Sequence, residues 1–208
     1  SWTQSLLVTA EMIWQHKIMR YYERYVDHFI APSRFMMEIC IRHGWPREKF
    51  IHIPHPMAVA PMVAEDAGYV LYIGRLSPEK GLDVLLDAAA KVPNIPVKIV
   101  GIGPLLAHLE KRITDEHLRQ VALLGFKTSH ELQTLIRQAR LVVVPSVWYE
   151  NYPLSILEAY AVGVPALVSN TGGLPEMISN TDKNFVFAVG NIKELSENKP
   201  RHLLGIGH

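Results

Sequence analysis

The sequence predicts an α/β fold built on a doubly wound parallel sheet and preceded by a partial second α/β domain. Six short, almost continuously apolar runs begin at residues 69, 97, 121, 141, 165 and 185. Such runs are typical of strands covered on both faces. Helical patterns separate the first five of them, at about residues 82–91, 104–113, 130–139 and 153–162. Regular alternation of strand and helix predicts parallel strands joined by crossover helices.

The first 62 residues are predicted to contain the end of a smaller α/β domain and a linker. Residues 11–29 have aromatic and apolar residues at helical spacing, a stripe expected to pack in a core or between domains. The runs HFIAP and FIHIPHP predict two strands, with a helix between them that is capped by Ser33 and stopped by Gly44. Residues 55–68 are rich in proline and alanine without a clear period, which predicts the linker.

The composition excludes several classes of protein. Twenty-one Lys and Arg balance 20 Asp and Glu among the 208 residues, so a nucleic acid partner is not expected. The only cysteine, Cys40, has apolar neighbours and predicts a core thiol in a reducing, cytoplasmic compartment. No apolar run is long enough for a transmembrane segment. His43, His52 and His55 match no metal-binding spacing, so scattered histidines are favoured over a metal site.

Polar loops follow the predicted strands, and the carboxyl ends of parallel strands meet at one edge of a sheet. Gly74, Arg75 and Lys80 follow the first strand, where the two cations suit phosphate groups or are simply solvated, with Lys80 near Glu79. The segment GIGP at residues 101–104 lacks the third glycine of a dinucleotide fingerprint, so we expect a tight turn with Pro104 opening a helix.

Two further loops give weaker signals. Gly125, Phe126 and Lys127 follow the third strand, where they could flank a base, although a buried phenylalanine is an equal alternative. Gly172 and Gly173 follow the fifth strand and predict either an ordinary turn or a backbone suited to phosphate oxygens.

The segment LVVVPSVWYENYPLSILEAYAVGVPALVSNTGGLPE, residues 141–176, carries the strongest signal. Glu150 lies in the loop after the fourth strand, and Glu158 lies about one and a half turns into the helix that Pro153 opens. A carboxylate at this place can accept both hydrogens of a sugar diol. Surface glutamates are common, so it is the position at a strand's carboxyl end that favours a ligand-binding role.

The segments YIGRLSPEKG, LLGF and PSVWYENYPLSILEAYAVGVPALVSNTGGLPE resemble, in matching order, the C-terminal nucleotide-sugar-binding domain of the retaining glycosyltransferases of family four. The resemblance implies the Rossmann-like C-terminal half of a GT-B fold. It assigns residues 1–62 to the remnant of the N-terminal, acceptor domain, 63–190 to the donor domain, and 191–208 to a truncated or atypical tail.

The resemblance also implies roles for particular residues. Arg75, Lys80 and Glu150 would be the catalytic group, with the two cations on the donor diphosphate and Glu150 on the transferred sugar or its phosphate. Glu158 would hold the ribose hydroxyls. The other donor-binding positions would be Gly74, Gly125, Phe126, Lys127, Asn151, Tyr152, Pro153 and Leu154.

No cofactor or metal is expected, because two fixed cations can neutralise the leaving diphosphate. The expected partners are a nucleotide-sugar donor and a saccharide, lipid-linked or small-molecule acceptor, with peripheral membrane association possible for the full enzyme. The chain alone should bind donor and turn over little of it. A non-catalytic nucleotide-sugar-binding module and a nucleotide-sugar epimerase of the same fold remain alternatives, whereas the incomplete glycine fingerprint disfavours an NAD-dependent oxidoreductase.

Overall fold

The computed structural model describes residues 2–57, 64–178 and 185–197. The chain divides into two compact units, Ser1–Pro54 and His55–His208. None of the helices in the described ranges is long and apolar enough to cross a membrane.

The first unit contains two short parallel strands and three helices. In chain order these are α1 (Trp2–Ile13), a π-helical turn (Trp14–Ile18), α2 (Tyr21–Tyr25), β1 (Phe29–Ala31), α3 (Arg34–Arg42), a 3-10 turn (Arg47–Lys49) and β2 (Phe50–His52). The Ser33 hydroxyl accepts a hydrogen bond from the Met36 amide, and Gly44 adopts φ +92° just beyond α3. The predicted cap and stop of this helix are therefore confirmed.

The aromatic stripe at the start of the chain differs from its prediction. The helix begins at Trp2 rather than at residue 11, and Arg20 interrupts it with a left-handed φ of 46°. Tyr22 and Phe29 pack against Trp45, but Ile18 and Tyr25 are exposed. Among the described residues of this unit, two three-residue strands and one nine-residue helix offer too little apolar surface to cover the stripe.

Cys40 is also less buried than predicted. It is partly exposed on α3, although burial still raises the pKa of its thiol. The helix that carries it packs on a two-stranded sheet, which is too narrow to enclose it.

The second unit contains the predicted parallel sheet. Its elements are β3 (Tyr69–Ile73), α4 (Leu82–Lys91), β4 (Val97–Val100), α5 (Leu106–Asp115), β5 (Val121–Gly125), α6 (Ser129–Gln138), β6 (Ala139–Val144), α7 (Leu154–Ala161), β7 (Ala166–Ser169), α8 (Leu174–Met177), β8 (Val186–Phe187) and α9 (Ile192–Glu197). The six strands lie in the order β5-β4-β3-β6-β7-β8, and every pair is parallel. The predicted fold class is confirmed.

Both faces of this sheet are buried, as the continuous apolar strands predicted. Along β6, Leu141 and Val143 pack in one hydrophobic cluster, whereas Val142 and Val144 pack in the other. The first cluster includes residues of α4 and α5, and the second includes residues of α7 and α8. Alternate residues of a strand point to opposite faces, so a strand covered twice must be apolar throughout.

One local prediction is wrong. Pro104 does not open α5, because Leu105 donates its amide to the Leu76 carbonyl at 2.9 Å and the helix begins only at Leu106. Residues 64–67, the end of the predicted linker, contact the sheet domain. Within that stretch the Glu65 amide donates to the Arg137 carbonyl at 2.8 Å and fixes the approach to β3. Residues 58–63 of the predicted linker lie outside the described residues.

The crevice of the sheet is expected between β3 and β6, because the order in which the chain adds strands changes direction there. The chain moves outward from β3 to β4 and β5, then returns to the other side of β3 with β6 and continues to β7. The loops after β3 and β6 therefore leave the sheet in opposite directions, and a crevice opens where they part. We call the side where the strands end the carboxyl edge, and the opposite side the amino edge.

Candidate functional site

The loops after β3 and β6 are held together by close backbone contacts at the carboxyl edge. Gly81 has φ +69°, and a Cβ at this position would lie 1.9 Å from the Pro145 carbonyl oxygen. The Val147 amide donates to the Glu79 carbonyl at 3.0 Å. Only glycine allows the entry of α4 to approach the end of β6 this closely. The two halves of the sheet thus meet in one rigid junction.

Lys80 and Glu150 form an ion pair across this junction. Lys80 Nζ lies 2.6 Å from Oε1 of Glu150, and the two side chains are 27% and 15% exposed. The sequence had suggested Glu79 as the neighbour of Lys80, but Glu79 instead accepts a hydrogen bond from the Ser77 hydroxyl at 2.5 Å. A cation and a carboxylate 70 residues apart in sequence therefore share one place in the crevice.

Two buried serines support the Glu150 carboxylate. The Ser146 hydroxyl donates to Oε1 of Glu150 at 2.7 Å, and the Ser169 hydroxyl donates to the Ser146 carbonyl at 2.6 Å. Both serines are fully buried. Oε1 therefore accepts two hydrogen bonds, whereas Oε2 accepts none from the residues that the structure describes. One oxygen of this carboxylate remains available to a ligand.

The glycine pair after β7 fixes the backbone of Glu150 from the other side. Gly173 donates its amide to the Glu150 carbonyl at 2.7 Å. At Gly172, with φ +61°, a Cβ would lie 2.2 Å from the same carbonyl oxygen. The pair forms a turn that packs against Glu150, and the second predicted role, in which its backbone amides bind phosphate oxygens, stays a prediction.

Arg75 stands at the end of β3 on a backbone held by Tyr72. The Tyr72 hydroxyl donates to the Arg75 carbonyl at 2.9 Å, and Gly74 provides the room, since a Cβ there would lie 2.8 Å from that hydroxyl. Burial, followed by the charges of Glu150 and Glu79, raises the pKa of Tyr72. The Arg75 side chain is exposed, and its guanidinium has no hydrogen-bond or ion-pair partner within the described ranges. The backbone of Arg75 is therefore held in place, while its cation has no partner among the described residues.

Glu158 is the second charged group without a partner at this edge. It occupies the fifth position of α7, which follows Pro153 at the N-cap, and the described residues offer its carboxylate neither a hydrogen bond nor an ion pair. The residue is exposed to solvent, yet protein atoms around the carboxyl group desolvate it and raise its pKa. An acid kept partly dehydrated and unpaired is suited to accept hydroxyl hydrogens from a ligand.

The remaining predicted donor-binding residues line the same edge. Phe126 is 72% exposed, which rules out the buried alternative, and Lys127 lies 3.5 Å from Glu131. Leu154 is exposed at the start of α7, and the Tyr152 ring lies 5.6 Å from the ring of His55. Asn151 lies between Glu150 and Tyr152 in the same loop.

The described residues of the crevice show no grouping that suits a metal ion. Within residues 2–57, 64–178 and 185–197, no three His, Cys, Asp or Glu side chains are placed to hold one. Arg75 and Lys80, together with Lys127, are the cations that the described residues offer an anionic ligand at this edge.

Sequence reasoning missed the hydroxyl groups beneath the charged residues. Tyr72, Ser146 and Ser169 carry the hydrogen bonds that position Arg75 and Glu150, and each of them lies within or just beyond an apolar strand. A lone polar residue at the carboxyl end of a buried strand was the available signal, because a buried hydroxyl needs a hydrogen-bond partner.

Comparison with known proteins supplies the family. The profile described as glycosyl transferases group 1 matches residues 60–199, more than half of the chain. An uncharacterized glycosyltransferase of Methanocaldococcus jannaschii is 37% identical over 122 residues, which cover 57% of this chain and 31% of that protein. The amylovoran biosynthesis glycosyltransferase AmsK of Erwinia amylovora is 27% identical over 209 residues, which cover 92% of this chain and 46% of that protein.

A solved structure extends the comparison to the fold. The Anabaena protein HepE in complex with UDP and glucose superposes with a TM-score of 0.74 and 26% identity, over 85% of this chain and 53% of that protein. The chain thus spans about half of HepE and less than half of either curated relative.

Proposed function

This chain belongs to the group 1 glycosyltransferases, and we propose that it supplies the donor site of an enzyme that transfers a sugar from a nucleotide-diphosphate-sugar to an acceptor with retention of anomeric configuration. One observation carries the proposal. The Lys80–Glu150 ion pair lies at the junction of the loops after β3 and β6, and on the same edge Arg75 and Glu158 have no partner among the described residues.

Arg75 and Lys80 are proposed to bind the donor diphosphate. Cleavage of the glycosidic bond leaves negative charge on the departing phosphate, and preorganised cations stabilise that charge most effectively where the protein already holds them in place. The Tyr72 hydroxyl fixes the Arg75 backbone, and the neighbouring Gly81 junction fixes the backbone of Lys80. With two cations so placed, the mechanism does not call for a metal ion.

The other side chains are proposed to recognise the nucleoside and the sugar. Glu158 would accept hydrogen bonds from the ribose hydroxyls, and residues 125–127 would flank the base, where the exposed Phe126 ring offers a stacking surface. Glu150 and residues 151–154 would contact the transferred sugar or its phosphate. The free Oε2 of Glu150 supports this part of the proposal.

The relatives support the wider assignment. HepE has been solved with UDP and glucose, and AmsK is named for amylovoran biosynthesis. We propose accordingly that the whole enzyme acts in the cytoplasm in the synthesis of a carbohydrate or cell-envelope polysaccharide, on a saccharide, lipid-linked or small-molecule acceptor. Because the chain spans about half of these proteins, the residues present here are proposed to bind donor with little or no turnover.

Calorimetric titration with UDP, GDP, ADP and NAD tests the donor site. We expect one nucleoside diphosphate to bind more tightly than NAD, and we expect Arg75→Ala and Glu158→Ala each to weaken it about 10- to 100-fold, the effect of losing a charge-assisted hydrogen bond.

Two exposed residues away from the crevice provide matched controls. Arg119 lies just before β5 at the amino edge, and Glu110 lies on α5. Arg119→Ala and Glu110→Ala remove the same charges and should leave the affinity unchanged. Tighter binding of NAD, or equal affinities for Arg75→Ala and Arg119→Ala, would contradict the proposed donor site.

A further inference from the structure

Lys80 has an anionic partner in the absence of any ligand, which bears on how the site selects one. Its ammonium group lies 2.6 Å from Glu150, so a diphosphate that engages Lys80 must share it with that carboxylate or displace it. We propose that Glu150 and the diphosphate of the ligand compete for Lys80, a proposal that rests on the proposed function. When Glu150 loses its ion pair with Lys80, only the sugar of an intact donor can offset that loss.

Glu150 is the immobile member of the pair. Ser146 holds its Oε1 at 2.7 Å, Gly173 holds its carbonyl at 2.7 Å, and Gly172 leaves no space for the loop to shift toward β7. The carboxylate therefore cannot follow Lys80 when the lysine turns toward another anion.

Lys80 is the mobile member. Lys80 is the last residue of a one-turn 3-10 helix, Pro78–Lys80, and its side chain is 27% exposed. The described residues give its ammonium group no hydrogen-bond acceptor besides Glu150. A lysine is a point charge on a flexible four-carbon stem, so it can exchange one acceptor for another without a change in the backbone.

The exchange has different consequences for a nucleoside diphosphate and for a nucleotide-sugar. A nucleoside diphosphate takes Lys80 and leaves a carboxylate that is 15% exposed without its cation, next to newly arrived phosphate charge. A partly buried carboxylate deprived of its partner is costly. A nucleotide-sugar takes Lys80 as well, but a sugar hydroxyl can donate to the free Oε2 of Glu150 and restore a hydrogen bond.

This difference gives Glu150 a role in selecting an intact nucleotide-sugar over a nucleoside diphosphate and in releasing the nucleoside diphosphate product. The intact donor satisfies both Lys80 and Glu150, whereas the nucleoside diphosphate left after transfer satisfies Lys80 alone. Return of Lys80 to Glu150 then favours departure of the product. Ser146 acts here as a positioning residue, because it keeps Glu150 in place during the exchange.

Titration of Glu150→Gln with UDP and with UDP-glucose tests the exchange, with GDP and GDP-mannose in their place if the nucleotide titration selects guanine. The substitution keeps the shape of Glu150 and removes the charge that competes for Lys80. We expect UDP to bind about three- to tenfold more tightly than to the unchanged chain, from the loss of one competing ion pair. UDP-glucose should bind equally or more weakly, because its hydroxyl loses a charged acceptor.

The control is Asp66→Asn, which breaks an ion pair of 3.1 Å with Arg140 at the amino edge and should change neither affinity. Equal or weaker binding of UDP to Glu150→Gln overturns the exchange. Lys80→Met distinguishes failure of the exchange from failure of the proposed donor site. This substitution should lower the affinity for UDP about tenfold, and an unchanged affinity would reject the donor site itself.

A double variant keeps the test decisive if Glu150→Gln does not fold. Lys80→Met/Glu150→Gln leaves neither charge of the pair without its partner. It should bind UDP more tightly than Lys80→Met alone, since the repulsion between Glu150 and the diphosphate is gone. UDP affinity equal to or weaker than that of Lys80→Met would overturn the exchange.

Discussion

The charged residues at the two edges of the six-stranded sheet differ in how they are paired. At the amino edge, Arg140 pairs with Asp66 at 3.1 Å, and Arg137 lies 3.8 Å from Glu65. At the carboxyl edge, Arg75 and Glu158 have no partner among the described residues, although both signs of charge are present. Arg75 and Glu158 therefore add no ion pair to the stability of the free chain, which favours a ligand-binding role for the carboxyl edge.

The two edges also differ in the polar groups and glycines that lie around their charged residues. At the carboxyl edge, the buried Ser146 and Ser169 form a chain of hydrogen bonds, and Gly81 and Gly172 leave no room for a side chain. At the amino edge, the ion pair of Arg140 is half exposed on its acidic side, and a Cβ at Gly68 would meet only an Arg140 side-chain nitrogen, at 3.5 Å. The carboxyl edge thus has a closely packed backbone and leaves Arg75 and Glu158 without a partner among the described residues, a combination that preorganises a site.

The largest effect should come from adding one methyl group at each edge. Gly81 and Gly68 both have positive φ, +69° and +83°, so an alanine is strained at either position. A Cβ at Gly81 would also lie 1.9 Å from the Pro145 carbonyl oxygen, whereas at Gly68 the nearest atom is an Arg140 side-chain nitrogen at 3.5 Å. We expect Gly81→Ala to lower the free energy of unfolding by about 3–5 kcal/mol and Gly68→Ala by about 1–2 kcal/mol. Urea denaturation measures both, and equal losses would remove the contrast between the edges.

A smaller effect should distinguish a buried hydroxyl from an exposed ion pair. Ser169→Ala leaves the buried carbonyl of Ser146 without its 2.6 Å hydrogen bond and should cost about 1–3 kcal/mol of unfolding free energy. Arg140→Met keeps an apolar stem and loses an exposed ion pair, which should cost less than about 1 kcal/mol. Thermal denaturation of the two variants decides the order. A larger loss of unfolding free energy in Arg140→Met than in Ser169→Ala would mean that the amino edge contributes more to stability than the carboxyl edge.

How far the sequence predicts this molecule depends on how local each feature is. The strands were predictable because burial on both faces demands continuous apolar runs, and α4 begins and ends at the expected residues. The start of α5 was not predictable, because a hydrogen bond from Leu105 to Leu76 in another loop shifts the first helical residue to Leu106. For the stripe in α1 and α2, helical periodicity predicts an apolar face without showing what covers it, and Ile18 and Tyr25 are exposed.

The candidate site shows the same limit. Parallel topology alone brings the loops that carry Arg75, Lys80, Glu150 and Glu158 to one edge, so that much was predictable. The partner of Lys80 was not, because adjacency in sequence favoured Glu79, while the folded chain gives Glu79 to Ser77. Hydrogen bonds between loops depend on distances that no spacing pattern encodes.

The smallest effect concerns pH and two carboxylates of the carboxyl edge whose pKa values move in opposite directions. Desolvation raises the pKa of Glu158 above its ordinary 4.5, so as the pH rises past that value the unfolded chain releases this proton first, and the free energy of unfolding falls until the folded pKa is passed. The hydrogen bond from Ser77 lowers the pKa of Glu79, so its stabilising contribution is present above 4.5 and is lost as the pH falls.

Urea denaturation of Glu158→Gln and Glu79→Gln from pH 4 to about 7 separates the two groups. Relative to the unchanged chain, Glu158→Gln should become more stable as the pH rises and Glu79→Gln less stable. Nucleotide affinity should rise with ionisation of Glu158, because only the carboxylate accepts both hydroxyl hydrogens, and Glu158→Gln should lose that dependence. Parallel slopes for the two variants would mean that Glu158 is solvated like any surface acid, and the unpaired charge at the carboxyl edge would then no longer set it apart from the amino edge.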